Sequence, residues 1–164
     1  VSTVNVCEEI TKTIELTEHH LRKRRIRVEP DFAPDVPPIY ADRQHLRQVF
    51  LNLFTNAADA MPEGGRLVPR VRTGELPVAR PAVVIEVADT GVGIHPAHLH
   101  RVTEPFFTTK EEGKGTGLGL AICKRIVRQH QGELEVQSEP GRGTTVRVTL
   151  PVYTDANTSG LHSL

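Results

Sequence analysis

The sequence predicts an α+β fold: a two-layer sandwich whose mixed, mostly antiparallel sheet of about five strands carries about three helices on one face. Three observations predict it. Residues 5–24, 42–61 and 118–131 repeat apolar side chains at helical spacing. Residues 66–73, 82–88, 133–138 and 144–150 read as strands with turn residues between them. The order is helix, strand, helix, two strands, long loop, helix, two strands, which lacks the regular β–α alternation of a doubly wound sheet.

In chain order, Val6, Ile10, Ile14 and Leu21 mark the first helix, with Asn5 as its N-cap. "IRVEPDF" alternates as a short strand, and "APDVPP" is a proline-rich connector. From Asp42, the residues Leu46, Val49, Phe50, Leu53, Ala57 and Ala60 make one apolar stripe, closed by Met61-Pro62 and Gly64-Gly65. Strands at 66–73 and 82–88 flank "TGELPVARP", read as the hairpin turn. Residues 90–117 are a long Gly-, Pro-, His- and Thr-rich stretch with one helical turn near 96–101, and loops of this length inside domains are commonly functional. A helix over 118–131 is stopped by Gly132, and two strands joined by "PGRG" follow. Residues 1–151 therefore read as one domain and 152–164 as a flexible tail.

Composition narrows the function. Twenty basic and twenty acidic residues cancel, so no global field recruits nucleic acid or an anionic membrane. The basic run "RKRRIR" reads as a solvated face complementing a helix C-terminus. Cys7 and Cys123 form no CxxC, which fits a reduced cytoplasmic compartment, and no stretch approaches the ~18 apolar residues of a spanning helix. The chain opens at Val1 and not Met, which suggests a piece excised from a longer protein.

Four stretches carry chemistry. "KEEGKGTGLGLAI" feeds glycines into a helix N-terminus, a place where backbone N–H groups meet anions. It is not a P-loop, because Lys114 is followed by Gly115, and it lies too late in the chain for a dinucleotide fingerprint. In "DTGVGI", Asp89 ends the row Val83, Ile85, Val87 on one strand face, so a carboxylate faces the core or a pocket and needs donors, an adenine amino group being one. An aspartic protease would need two such Asp-Thr-Gly copies, and the chain has one. In "NLFTNAADA", Asn52 and Asn56 stack one helical turn apart with Asp59 nearby, and amide oxygens suit Mg²⁺. In "EPFFTTK", two phenylalanines suggest a latch and Lys110 a contact to a terminal phosphate.

Together these stretches resemble the catalytic ATP-binding domain of bacterial two-component sensor histidine kinases, whose Bergerat fold is shared with type II topoisomerase, chaperone and mismatch-repair ATPases. "NLFTNAADA" looks like the N box, "DTGVGI" the G1 box, "EPFFTTK" the F box and "GTGLGL" the G2 box, over residues 4–150. "PFFTTK" and "NAADAMPEGG" are similar to the nitrogen-regulation and oxygen-sensor branch. The resemblance implies that Asn56 ligates Mg²⁺, that Asn52 supports the metal–phosphate end, and that Asp59 belongs to the same nucleotide site. It implies that Asp89 holds the adenine amino group, with Thr144 sharing a water. Gly91 and Gly93 would let backbone pass close to the base, with Ala60 and Ile94 against its faces. Thr109, Lys110, Gly115, Thr116, Gly117, Leu118, Gly119 and Leu120 would close over the phosphates as the end of a lid spanning about 94–117.

Hydrolytic relatives carry a glutamate one turn before the metal-binding Asn, where this chain has Asn52, and an amide cannot act as a general base. The implied activity is therefore transfer of the γ-phosphoryl group to a histidine, with an ATP hydrolase module or a silent ATP sensor as the alternative. His19 and His20 in "EHHLRKRR" lack the acceptor pattern, so the acceptor is expected on a separate dimerisation hairpin of the parent protein, itself free to be membrane-bound. His95, His98 and His100 read as loop surface, and His130 as compensating a helix dipole. A response-regulator receiver domain is the implied downstream partner; nucleic acid and direct membrane contact are not implied, and the isolated domain is expected to be a monomer.

Overall fold

The computed structural model of the chain describes residues 1–105 and 119–153. Among them the elements run β1 (Ser2–Val4), α1 (Val6–Lys23), β2 (Ile26–Val28), β3 (Asp31–Phe32), β4 (Ile39–Ala41) and α2 (Arg43–Asp59). They continue with β5 (Gly65–Leu76), β6 (Arg80–Asp89), α3 (Pro96–Leu99), α4 (Gly119–Gln129), β7 (Glu133–Glu139) and β8 (Gly143–Pro151).

The main sheet has the order β2-β5-β6-β8-β7, with β3 also on β5. The strands β2 and β3 follow one another along the same edge, both parallel to β5, so six strands fill the five positions expected. The ladder breaks between Val28 and Asp31, opposite Pro69, whose ring has no N–H to offer. The other pairings are antiparallel.

Val83, Ile85 and Val87 of β6 face inward with Leu67, Val71, Val146, Val148 and Leu150, and all are buried. Across this face lie the apolar stripes of α1, α2 and α4, with Phe50, Phe54, Ile10 and Leu21 fully enclosed. The outer face is polar. Glu86 at its centre pairs with Arg72 and, at 3.2 Å, with Arg147, which also reaches Glu135 at 3.4 Å. One apolar and one charged face is the signature of a two-layer sandwich.

Local chemistry sets the helix ends. Asn5 accepts from the Glu8 N–H at 3.2 Å, and Asp42 accepts from the N–H groups of Gln44 and His45 at 3.0 and 3.1 Å. Asp42 is partly exposed, and its hydrogen bond from the His45 backbone holds its carboxyl below the ordinary value. At the other end of α4 the left-handed residue is Gln131 (φ 62°), not Gly132. Gly132 N–H bonds Val127 O at 2.9 Å and Gln131 N–H bonds Arg128 O at 3.0 Å, the two closures of a Schellman motif. Gly132 is needed for space, since a Cβ there would lie 2.2 Å from Thr149 O.

Several boundaries differ from the sequence expectation. The β5–β6 turn is only Pro77, Val78 and Ala79, because Gly74 and Pro81, read as turn signals, lie within the strands. The small sheet of β1 and β4 has no precursor in the pattern, since three-residue strands beside prolines show no periodicity. The ordered chain also runs past Pro151: Val152 bridges Ile39, and Tyr153 N–H bonds Pro38 O at 2.9 Å. The tail proper, 154–164, lies outside the described residues. Among the described residues no helix is long and apolar enough to cross a membrane.

Candidate functional site

The site lies at the end of the sheet where β6 and α2 run out together. Asp89, the last residue of β6, pairs in register with Thr144 of β8, which pairs with Ser138 of β7. All three side chains share the inner face and line one shallow cavity of about 200 Å³. Asp89 Oδ1 accepts from the Gly91 N–H at 2.8 Å and from the Thr144 N–H at 3.3 Å. Burial nevertheless pushes its carboxyl above the ordinary value, because desolvation outweighs these two hydrogen bonds. A carboxylate in this position gains from one more donor. Thr144 therefore reaches Asp89 directly through its backbone, and its hydroxyl meets Ser138 Oγ at 2.7 Å instead.

The glycines of the turn after Asp89 serve the protein's own packing. A Cβ on Gly91 would lie 2.4 Å from Ala60 O, and one on Gly93 (φ 77°) would lie 2.1 Å from Glu139 O. Val92 N–H bonds Ala60 O at 3.0 Å, so the turn is clipped to the C-terminal end of α2. Ile94, where the long loop begins, donates its N–H to Ser138 Oγ at 2.7 Å. These glycines thus let the turn approach Ala60 and Glu139.

The N-terminus of α4 meets α2 at Asn56: a Cβ on Gly119 would stand 3.4 Å from Asn56 Nδ2 and 3.5 Å from Oδ1. The start of α4 at Gly119 therefore stands against Asn56 of α2. Asn52, one turn earlier, lies beside the Cys123 thiol of α4, which donates to Val49 O of α2 at 3.6 Å. Burial pushes that thiol up to about 12, so it stays protonated and unreactive at neutral pH. Asn52 thus lies on the side of α2 that meets α4. Asp59 is ion-paired with Arg24 at 2.9 Å, which anchors the basic stretch after α1 to the end of α2. Leu120 packs partly against the core.

Phe106, Phe107, Thr109, Lys110, Gly115, Thr116, Gly117 and Leu118 lie outside the described residues. His95 caps α3, its Nδ1 accepting from Ala97 N–H at 3.0 Å, and its ring centroid is 6.0 Å from that of His98. His130 bridges helices: one ring nitrogen meets Ile126 O at 2.8 Å, and the other accepts from Asp42 N–H at 3.1 Å. Both ring nitrogens thus meet backbone groups, one at each helix end. Sequence reasoning missed Ser138, Gly143 and Arg24. Each acts through a partner distant in sequence, with only "GRGTT" as a faint signal for Gly143.

Known proteins share this arrangement. The family model for histidine kinase-, DNA gyrase B-, and HSP90-like ATPases matches residues 41–154. Sporulation kinase E of Bacillus subtilis (strain 168) is 38% identical over 152 residues, covering 93% of this chain and 20% of its own length. Sensor kinase CckA of Brucella abortus (strain 2308) is 44% identical over 138 residues, covering 77% of this chain and 14% of its own. The chain thus spans a fifth or less of these relatives. Among solved structures, the catalytic domain of histidine kinase ThkA superposes with a TM-score of 0.78 at 28% identity, covering 92% of this chain and 97% of that one. Full-length ShkA in complex with AMPPNP gives 0.79 at 29% identity, covering 93% and 31%.

Proposed function

Because the chain belongs to the family of histidine kinase-, DNA gyrase B-, and HSP90-like ATPases, we propose that it is the ATP-binding catalytic domain of a sensor histidine kinase. It holds Mg-ATP and gives the γ-phosphoryl group to a histidine on a separate helical hairpin of the same parent protein. The phosphoryl group then passes to a response-regulator receiver domain. The reading places the domain in the cytoplasm, where ATP is available, and the similarity to full-length ShkA, solved in complex with AMPPNP, supports a nucleotide as the ligand.

The residues present fit the nucleotide. Asp89 is a half-buried carboxylate with its Oδ1 held by two backbone N–H groups, which leaves acceptor capacity for an exocyclic amine. Asn56 places a hard amide oxygen beside the first turn of α4, where phosphate groups are favoured by the helix N-terminus. Mg²⁺, when bound, neutralises charge on the β- and γ-phosphates. Lys110, in the loop, is the proposed cation for the γ-phosphate, with Thr109, Gly115, Thr116, Gly117 and Leu118 closing over it.

The observation that carries transfer over hydrolysis is Asn52. Its amide cannot take a proton from water, and its neighbour, the Cys123 thiol, is held protonated. Among the described residues Asp59 is engaged by Arg24. With an amide and not a carboxylate at position 52, the acceptor imidazole supplies the nucleophile: a nitrogen–phosphorus bond forms as the bond from the γ-phosphorus to the bridging oxygen breaks, and ADP leaves.

Calorimetry of Mg-ATP binding to Asn56→Ala tests the metal end. The variant is expected to bind at least tenfold more weakly than wild type, and removing Mg²⁺ with EDTA should then change its affinity little. Unchanged Mg-ATP affinity in Asn56→Ala would remove Asn56 from the site.

A further inference from the structure

We propose that Ser138 is a specificity-determining positioning residue: it turns the Thr144 hydroxyl into a pure acceptor beside Asp89, so that the pocket selects a 6-amino purine over a 6-oxo purine. The inference rests on the reading of this cavity as the base pocket.

The hydrogen-bond directions follow from counting protons. A serine hydroxyl has one proton to donate and two lone pairs. Ile94 N–H donates into one lone pair at 2.7 Å. The Gly143 carbonyl, 3.0 Å from Ser138 Oγ, has no proton, so the serine proton points there. Thr144 Oγ1 stands 2.7 Å away and must then donate into the remaining lone pair. The reverse direction would leave Ser138 Oγ and Gly143 O as two acceptors in contact with no proton between them. Ser138 is thereby saturated, and the single Thr144 proton is spent.

Register puts the consequence in the pocket. Ser138, Thr144 and Asp89 form one row across β7, β8 and β6 and share the cavity wall. Thr144 Oγ1 faces the cavity with lone pairs only, and an ionised Asp89 is also acceptor-only. An exocyclic amine offers two protons to this row. A carbonyl oxygen at the same ring position brings a third set of lone pairs and leaves the half-buried acceptors unpaired, which a polar pocket rejects. Without Ser138 the Thr144 hydroxyl rotates freely and donates to such a carbonyl. The same serine holds Ile94 at the start of the long loop, so the base pocket and the loop base share one hydroxyl.

The test is equilibrium binding of ATP and of inosine triphosphate, which carries a 6-oxo group with a proton on N1 in place of the 6-amino group, to the full 164-residue chain. Wild type is expected to prefer ATP. Ser138→Ala is expected to lower the ATP-to-inosine-triphosphate affinity ratio about tenfold, the scale of one hydrogen bond. Ser138→Thr, which keeps a hydroxyl, restores the ratio. Equal weakening of both nucleotides in Ser138→Ala, or an unchanged ratio, overturns the proposal, because a merely structural serine leaves discrimination intact. Should Ser138→Ala fail to fold, Thr144→Val keeps the Ser138 bonds to Ile94 and Gly143 and is expected to lower the same ratio; no change there overturns it equally. An absence of ATP preference in wild type overturns the base-pocket reading itself, and is told apart because it appears before any substitution.

Discussion

Asp89→Asn is expected to lose ATP affinity by at least a hundredfold while leaving the nucleotide-free domain as stable as wild type or more so. The amide retains an oxygen for the Gly91 and Thr144 N–H groups, so the turn and the strand end stay in place. Its other atom becomes an N–H donor facing the donor amine of adenine. Losing a charge-assisted hydrogen bond and opposing two donors costs about 3 kcal/mol, roughly a hundredfold. Stability moves the other way. Burial raises the Asp89 carboxyl, so its favourable contribution is present at low pH and is lost as pH rises through the raised value. At neutral pH the wild-type domain carries a partly desolvated charge that the amide does not. Nucleotide affinity in wild type should fall as pH drops through that same raised value, whereas the residual affinity of the variant should not. Calorimetry across the acid-to-neutral range, alongside thermal melts without nucleotide, reads both. Equal ATP affinity in the two proteins would take Asp89 out of the base pocket.

The second large effect is at Gly143, where Gly143→Ala is expected to destabilise the domain by about 3 kcal/mol or more. Its φ of 100° is a left-handed conformation that L side chains rarely adopt, and an added Cβ would lie 2.0 Å from Asp89 O and 2.9 Å from Asp89 C. Neither contact is with a flexible side chain, so β8 must separate from β6 at the point where Thr144 and Asp89 meet. On a chain of this size the melting temperature should fall by roughly 6–12 °C, with nucleotide affinity falling too. Gly141 supplies the control. It also has a positive φ, 77°, but nothing lies within 4 Å of its would-be Cβ. Gly141→Ala should therefore cost only the backbone strain, about 1 kcal/mol. If both variants melt alike, the close approach to Asp89 is not what Gly143 serves.

What could be read in advance depended on whether a residue's role was local. The row Val83, Ile85, Val87, Asp89 was legible because period two is a property of one strand, and the structure keeps it. The N-cap Asn5 and the apolar stripes of α1 and α2 were legible for the same reason. Asn52 and Asn56 could be seen to stack, but not that Asn52 would lie beside a thiol 71 residues on, at position 123. The role of Ser138 arises only from the register that sets it against Thr144, and two strands' sequences do not display their register. The glycines after Asp89 were recognised as necessary, yet what approaches them is Ala60 and Glu139, partners that only the packing of α2 and β7 supplies. β1 and β4 escaped because three residues carry too little pattern.

The central claim is that this domain gives its phosphoryl group to a histidine and not to water. The most direct measurement incubates the domain with γ-labelled ATP and a supplied dimerisation hairpin bearing an acceptor histidine, and follows both acid-labile label on the hairpin and free phosphate. The account predicts label on the hairpin, none on the domain's own histidines, and no sustained phosphate release without the hairpin. Steady phosphate release by the domain alone, with the hairpin unlabelled, would contradict it.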